Sequence, residues 1–312
     1  MMTEATSRWA TFRASRWFRL VWIVPALLVL AAVAVLAAKG IRSLPVGQDF
    51  IEQFPGASEL PAGAPVGIPA WLAWQHGLNL FFMVMILRFG WIQRTTVRHE
   101  AYWTRDNKGL IKTKGSPTRI SLPLFAHLSF DALWVINGLV FYVLLFVTGQ
   151  WMRIVPTNWD IIPNAISTGL QYASLDWPAE HGWLNYNALQ VLLYFVVVFI
   201  AAPLALLTGL RLAPGLQAKW AWAEKSFPLP IARVIHFSVM IFFVAFFVIH
   251  VSLVFLTGAL KNLNVMFTAR DATDWLGFGV LAAVIVVIAG IWVALRPMLI
   301  RTIAGFFGNL SR

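Results

Sequence analysis

The chain has no cysteine and little charge: only 12% of its 312 residues are Asp, Glu, Lys or Arg. Without thiols there is no disulfide and no iron–sulfur cluster ligated from within the chain. Covalently attached c-type haem is excluded too, because it needs a Cys-x-x-Cys-His motif. Soluble domains are about a quarter charged, so the shortage of charge argues against an ordinary water-soluble fold. Carboxylates are the scarcer sign, 13 against 24 basic residues, which leaves a formal net charge of +11.

What fills the chain is apolar, 59% hydrophobic with a mean hydropathy of +0.73. A membrane span needs about 20 mainly apolar residues. Six segments meet that length, near Leu20–Ala38, Trp71–Trp91, Leu122–Gln150, Tyr186–Leu210, Ile231–Thr257 and Trp275–Leu295. Lipid cannot hydrogen-bond the backbone, so spans are helices or closed barrels. These runs are too long and too continuously apolar for barrel strands. The expected fold is an all-α membrane protein with six transmembrane helices, organised as a single membrane domain over residues 1–312 without a soluble module. The first run follows basic residues as a signal peptide would, but it exceeds the usual 7–15-residue apolar region and reads as a helix.

The basic residues alternate from loop to loop. Of the 24, 18 lie before the first span, after the second, after the fourth and after the sixth. The other loops hold Lys39, Arg42, Arg153, Lys261 and Arg270, and Arg88 lies within a span. Cytoplasmic loops draw Lys and Arg, so a multi-pass protein of a bacterial-type plasma membrane is expected, with both termini cytoplasmic. This distribution accounts for the basicity through the bilayer, with no nucleic-acid partner. The long 40–70 and 151–185 loops then lie outside, and Trp151, Trp159, Trp177 and Trp183 read as an interfacial belt. A short echo, Val-Thr-Gly at 147–149 and Leu-Thr-Gly at 207–209 and 256–258, places small residues at three helix ends. Such residues let helices approach closely.

Six histidines remain: His76, His99, His127, His181, His236 and His250. His99 and His181 fall in loops, where water satisfies an imidazole. The other four lie in spans, where ionisable side chains are costly and usually functional. His236 and His250 are fourteen residues apart on one helix. They share a face and sit about 21 Å apart along the axis at ~1.5 Å per residue. Direction of travel sorts the rest: His127 reaches the inner level of His236, and His76 the outer level of His250. A lone buried histidine usually satisfies a core contact, but four that pair by depth across three helices fit bis-imidazole ligation of two non-covalent b haems. Zinc fits less well, because no Cys, Asp or Glu completes either pair to three or four ligands.

With those residues in view the chain resembles the di-haem cytochrome b membrane subunits of nickel–iron hydrogenases, respiratory formate dehydrogenases and thiosulfate reductases. In that family one ligand lies near the start of each of the first two core helices, and two more lie on the fourth, spaced His-x13-His. Here His76, His127 and His236-x13-His250 occupy those positions, and the family pairing is first with last and second with third. The resemblance covers about 70–258. It implies a four-helix haem-binding core made of helices 2–5, two haem b, and the four histidines as axial ligands of the haem iron. It also implies quinone as substrate, and a redox enzyme subunit of hydrogenase, molybdoenzyme or similar type as partner. The additional N-terminal helix (1–40) and C-terminal helix (259–312) depart from the four-helix members and invert the core. The partner would accordingly dock inside, near His127, His236 and the basic 92–120 loop.

The function expected is that of an electron-transfer subunit in a membrane oxidoreductase complex. The alternative is a proton- or ion-coupled transporter that uses the intramembrane histidines as a relay. Other polar residues in the spans allow two roles each. Asp131, one turn beyond His127, either orients that imidazole, takes up protons or is an interfacial carboxylate. Arg88, Arg119 and Arg233 either pair haem propionates or snorkel to the surface. Asn79, Asn137, Asn187 and Gln190 either line a quinone site or bond neighbouring helices.

Overall fold

The computed structural model of the protein describes residues 11, 13, 15–108, 117–177, 182–217 and 221–312. Six helices are long and apolar enough to cross a membrane, and the protein is an all-α membrane protein. The spanning helices are α1 (Leu20–Ser43), α3 (Ala70–Thr95), α4 (Leu122–Val147), α6 (Ala188–Leu212), α7 (Leu229–Leu256) and α9 (Leu276–Ala294). Shorter helices are α2 (Pro45–Gln53), α5 (Ile161–Ala173), α8 (Ala259–Thr268) and α10 (Pro297–Gly305). Each expected span is present, with ends moved by up to about five residues, as fraying and capping allow.

Proline and small side-chain caps set many of these ends. A proline lacks the N–H that a first helical turn leaves unpaired. Pro69 precedes α3, Pro228 precedes α7 and Pro297 opens α10. Ser121 caps α4 by accepting the Leu124 N–H at 3.3 Å. Asp274 does the same for α9, accepting from the Leu276 N–H at 3.0 Å.

The chain divides into two compact units. The first comprises residues 1–59, 158–180 and 187–189. Within it α1 packs on α5, and Arg42 donates to Ser174 Oγ at 2.5 Å and pairs with Asp176 at 2.7 Å. Three polar residues on one face of α5 bind the backbone at Pro55–Gly56. Asn164 accepts from the Gly56 N–H, while Thr168 and Gln171 donate to the carbonyls of Gly56 and Pro55. Gly56 has φ +106, and a Cβ there would lie 2.8 Å from Thr168 Oγ1.

The second unit, residues 60–157, 181–186 and 190–312, contains the other five spans, α6 from Gln190 onward. The most extensive packing is of α3 on α4, α8 on α9, and α7 on α6. At one end Phe89, Leu122, Ala126, Ile300 and Ala304 form a buried knot of α3, α4 and α10. Beside it lies a small antiparallel sheet in the order β2-β1-β3, from β1 (Tyr102–Arg105), β2 (Ile120–Ser121) and β3 (Gly308–Ser311). At the other end Arg153, almost wholly buried, donates to the carbonyls of Gly67 at 2.6 Å and Gly182 at 2.7 Å. Along α6, residues Val196–Ala201 form a π-helical stretch, and Tyr142 of α4 donates to its Val198 carbonyl.

Candidate functional site

All four intramembrane histidines lie in the second unit, and they meet in two pairs. His76 on α3 and His250 on α7 have ring centroids 6.2 Å apart with planes at 66°. His127 on α4 and His236 on α7 lie 6.4 Å apart with planes at 83°. The depth pairing expected from sequence is thus the pairing seen. Among the described residues no group of three or more His, Cys, Asp or Glu side chains is placed to hold a metal. Each site therefore offers two imidazole donors.

At the His127–His236 pair the ring orientations are fixed by hydrogen bonds. His127 Nδ1 lies 3.0 Å from the Ile86 carbonyl. A carbonyl only accepts, so the proton sits on Nδ1 and Nε2 carries the lone pair, with Asp131 Oδ2 3.4 Å from it. Gly90 lies one turn after Ile86, and a Cβ there would lie 3.0 Å from His127 Cε1. The bare glycine uncovers the carbonyl and admits the ring. His236 Nδ1 lies 2.9 Å from Thr208 Oγ1. The Thr208 hydroxyl donates to the carbonyl of Leu204 at 2.7 Å, so its oxygen accepts from the imidazole. Gly209 follows, with its Cβ position 3.5 Å from His236 Cε1.

The His76–His250 pair is held by aromatic rings. Phe267 of α8 meets His76 edge-on at 5.3 Å, and Phe246 stacks on His250 at 5.5 Å. The short helix α8 crosses α3 and carries this contact. Its anchor is Asn264, wholly buried, which donates to the carbonyls of Leu260 and Asp274 and accepts from the Gly277 N–H.

Asp131 lies 3.4 Å from His127 Nε2, so the orienting contact at Nδ1 comes from Ile86 instead. Arg88 donates to the carbonyls of Trp292 and Leu295 at the end of α9. Arg119 donates to Ser311 and the Arg312 carbonyl beside the sheet. Arg233 is exposed. Arg94, which the spacing of the histidines does not point to, lies 3.9 Å over the ring of Phe237, the residue after His236. Asn79 bridges helices by accepting from Trp134 at 3.1 Å. Asn187 donates to Tyr172 in the first unit. Asn137 Nδ2 and Gln75 Oε1 are buried side-chain atoms without a hydrogen-bond partner. His99 was expected to be solvated, but it packs edge-on to Tyr102 with Nδ1 shielded from solvent. His181 lies outside the described residues.

Tyr186 and Asp274 are among the titrating groups outside the spans that are shifted. Burial pushes the Tyr186 phenol up, and the Arg153 guanidinium draws it partly back. The Leu276 N–H, followed by Arg270, holds the Asp274 carboxyl below its ordinary range. Both belong to loop architecture and neither touches an imidazole pair.

The four histidines and Thr208 were visible as residues, but the Ile86 carbonyl, Gly90, Phe267 and Arg94 were not singled out. Only Thr208 and Gly209 had left a signal, in the Leu-Thr-Gly echo. No known protein family, curated protein or solved structure matches the chain.

Proposed function

We propose that the chain is a cytochrome b-type electron-transfer subunit carrying two haem b. His76 with His250, and His127 with His236, would be the axial ligands. The observation that carries this reading is the ring separation, 6.2 Å and 6.4 Å. An imidazole nitrogen lies about 2 Å from a bound first-row metal, so two rings on opposite sides of one iron have centroids about 6 Å apart. An edge-on aromatic pair covers the same range, but it does not call for two pairs stacked along one helix face. The donor set is compatible: Nδ1 of both His127 and His236 is engaged, which leaves Nε2 as the nitrogen that would bind a metal, as in ligating histidines, with the Asp131 carboxylate 3.4 Å from Nε2 of His127.

When bound, haem supplies a one-electron couple within the bilayer. The residues of the chain hold the two positions about 21 Å apart along α7, at ~1.5 Å per residue. That spacing is suited to moving charge across a hydrocarbon core about 30 Å thick. Electrons would pass between a redox enzyme partner and the membrane quinone pool. The charge bias orients the chain in a bacterial-type plasma membrane with both termini in the cytoplasm. It puts the His127–His236 pair and the basic 92–120 loop on the side where the enzyme partner would dock. The reading is tested by the reduced-minus-oxidised spectrum of the purified protein. Bands of b-type haem that a quinol can reduce are expected.

A second reading rests on the contact between Asp131 and His127 inside a span, the kind of pair that relays protons in transporters. A colourless protein that moves protons or ions in vesicles would favour it.

A further inference from the structure

We infer that Thr208 is a positioning residue that sets the His127–His236 haem to the lower potential of the two; this rests on the di-haem reading. Thr208 is wholly buried on α6, and its hydroxyl faces two ways. The hydrogen is given to the carbonyl of Leu204 at 2.7 Å or Ala205 at 3.1 Å. The oxygen is then left to accept from His236 Nδ1 at 2.9 Å, beside the Ala205 carbonyl, which also bonds the His236 ring. His127 is held in the same manner by the Ile86 carbonyl at 3.0 Å. Both imidazoles of this pair therefore donate from Nδ1, which raises the basicity of Nε2.

The other pair is built differently. Among the described residues neither His76 nor His250 makes a side-chain hydrogen bond; their rings meet Phe267 at 5.3 Å and Phe246 at 5.5 Å. A more basic ligand stabilises iron(III) over iron(II) and lowers the potential, and hydrogen bonding is one of the protein's levers on haem. The two bis-histidine sites are thus made unequal by what stands behind the rings, and the Asp131 carboxylate, 3.4 Å from His127 Nε2, acts in the same direction at the His127–His236 pair.

The backbone of α6 contributes to the placement. The π-helical stretch Val196–Ala201 inserts a residue relative to α-helical register, turning everything after it by about 100° about the axis. Thr208 lies on the rotated part. The Tyr142 hydroxyl satisfies the Val198 carbonyl within that stretch, which stabilises the irregular turn in a setting without water. Such stretches recur at functional sites, and this one precedes the residue that meets His236 by two turns.

The test is a redox titration of the purified full chain and of Thr208→Val, Thr208→Ser and Thr208→Ala, followed by optical difference spectra. The wild type should titrate in two steps, the lower belonging to the component that His236→Ala removes. Thr208→Val should raise that step alone, on the order of tenfold in the reduced-to-oxidised ratio, or about 59 mV for a one-electron couple. Thr208→Ala should move it the same way, and Thr208→Ser should keep the parental value. If Thr208→Val sheds the haem, its retention at parental potential by Thr208→Ser supports the assignment, and its loss from both overturns it. Unchanged potentials in a two-haem Thr208→Val protein overturn the inference and leave the di-haem reading intact. A wild-type protein without haem overturns both.

Discussion

At the scale of single residues, two glycines on α3 separate steric from electronic roles. A Cβ at Gly90 would press 3.0 Å against His127 Cε1 and 3.3 Å against Nδ1, whereas Gly77, beside His76, has nothing within 4 Å. Gly90→Ala should displace the imidazole from the Ile86 carbonyl. It should cost about 1–3 kcal/mol, as overpacking does, and perturb only the haem proposed at His127–His236. Gly77→Ala should be neutral or slightly stabilising, since alanine exceeds glycine by about 0.5–1 kcal/mol in a helix. Thermal melts in detergent and the difference spectrum check both. The histidines give a matched set. His250→Ala and His76→Ala should remove one and the same spectral component, and His236→Ala and His127→Ala the other. His99→Ala should leave both. Loss of both components in every variant would contradict the pairing.

At the scale of elements, the hairpin of α8 and α9 carries Phe267 to His76 and depends on Asn264. Asn264→Ala would leave the Gly277 N–H and the Asp274 carbonyl without their present partners, at about 1–3 kcal/mol for each buried group left unpaired. The expected outcome is a lowered melting temperature and a changed environment for the haem proposed at His76–His250, with the one proposed at His127–His236 unaffected. A spectrum altered at the His127–His236 component instead would show that α8 does not belong to the His76–His250 site. Asp274 adds a pH dependence. Its pKa is depressed in the fold, so its contribution is present above the ordinary carboxylate range and is lost as pH falls through the lowered value.

These elements also mark what sequence made legible. The six spans and the pairing of the histidines followed from hydropathy, helix rise and direction of travel, because lipid leaves the backbone few options. The contacts behind the imidazoles did not. A backbone carbonyl such as that of Ile86 carries no side-chain signature, and Gly90 reads like any helical glycine. Helix α8 reads as loop because Asn262 and Asn264 interrupt its apolar run, although the latter is buried as a hub. Arg88 was expected either to pair a propionate or to snorkel, but it caps the end of α9, whose carbonyls no sequence pattern pointed toward it. The π-helical register of α6 arises from packing that local propensity does not encode.

At the scale of the whole molecule, the orientation proposed from the basic residues can be read chemically. The chain has no cysteine, so single thiols report cleanly. Val97 is 95% exposed and Glu59 is also exposed. On intact cells an impermeant thiol reagent should label Glu59→Cys and reach Val97→Cys only once the membrane is opened. The reverse pattern would invert the chain and move the proposed docking face to the outside. The central claim, that two imidazole pairs hold two haems, is tested most directly by pyridine haemochrome analysis against quantified protein. The account predicts close to two b haems per chain, falling to one in His236→Ala. A folded wild-type protein with no haem, or one whose haem content is unchanged by loss of His236, would contradict it.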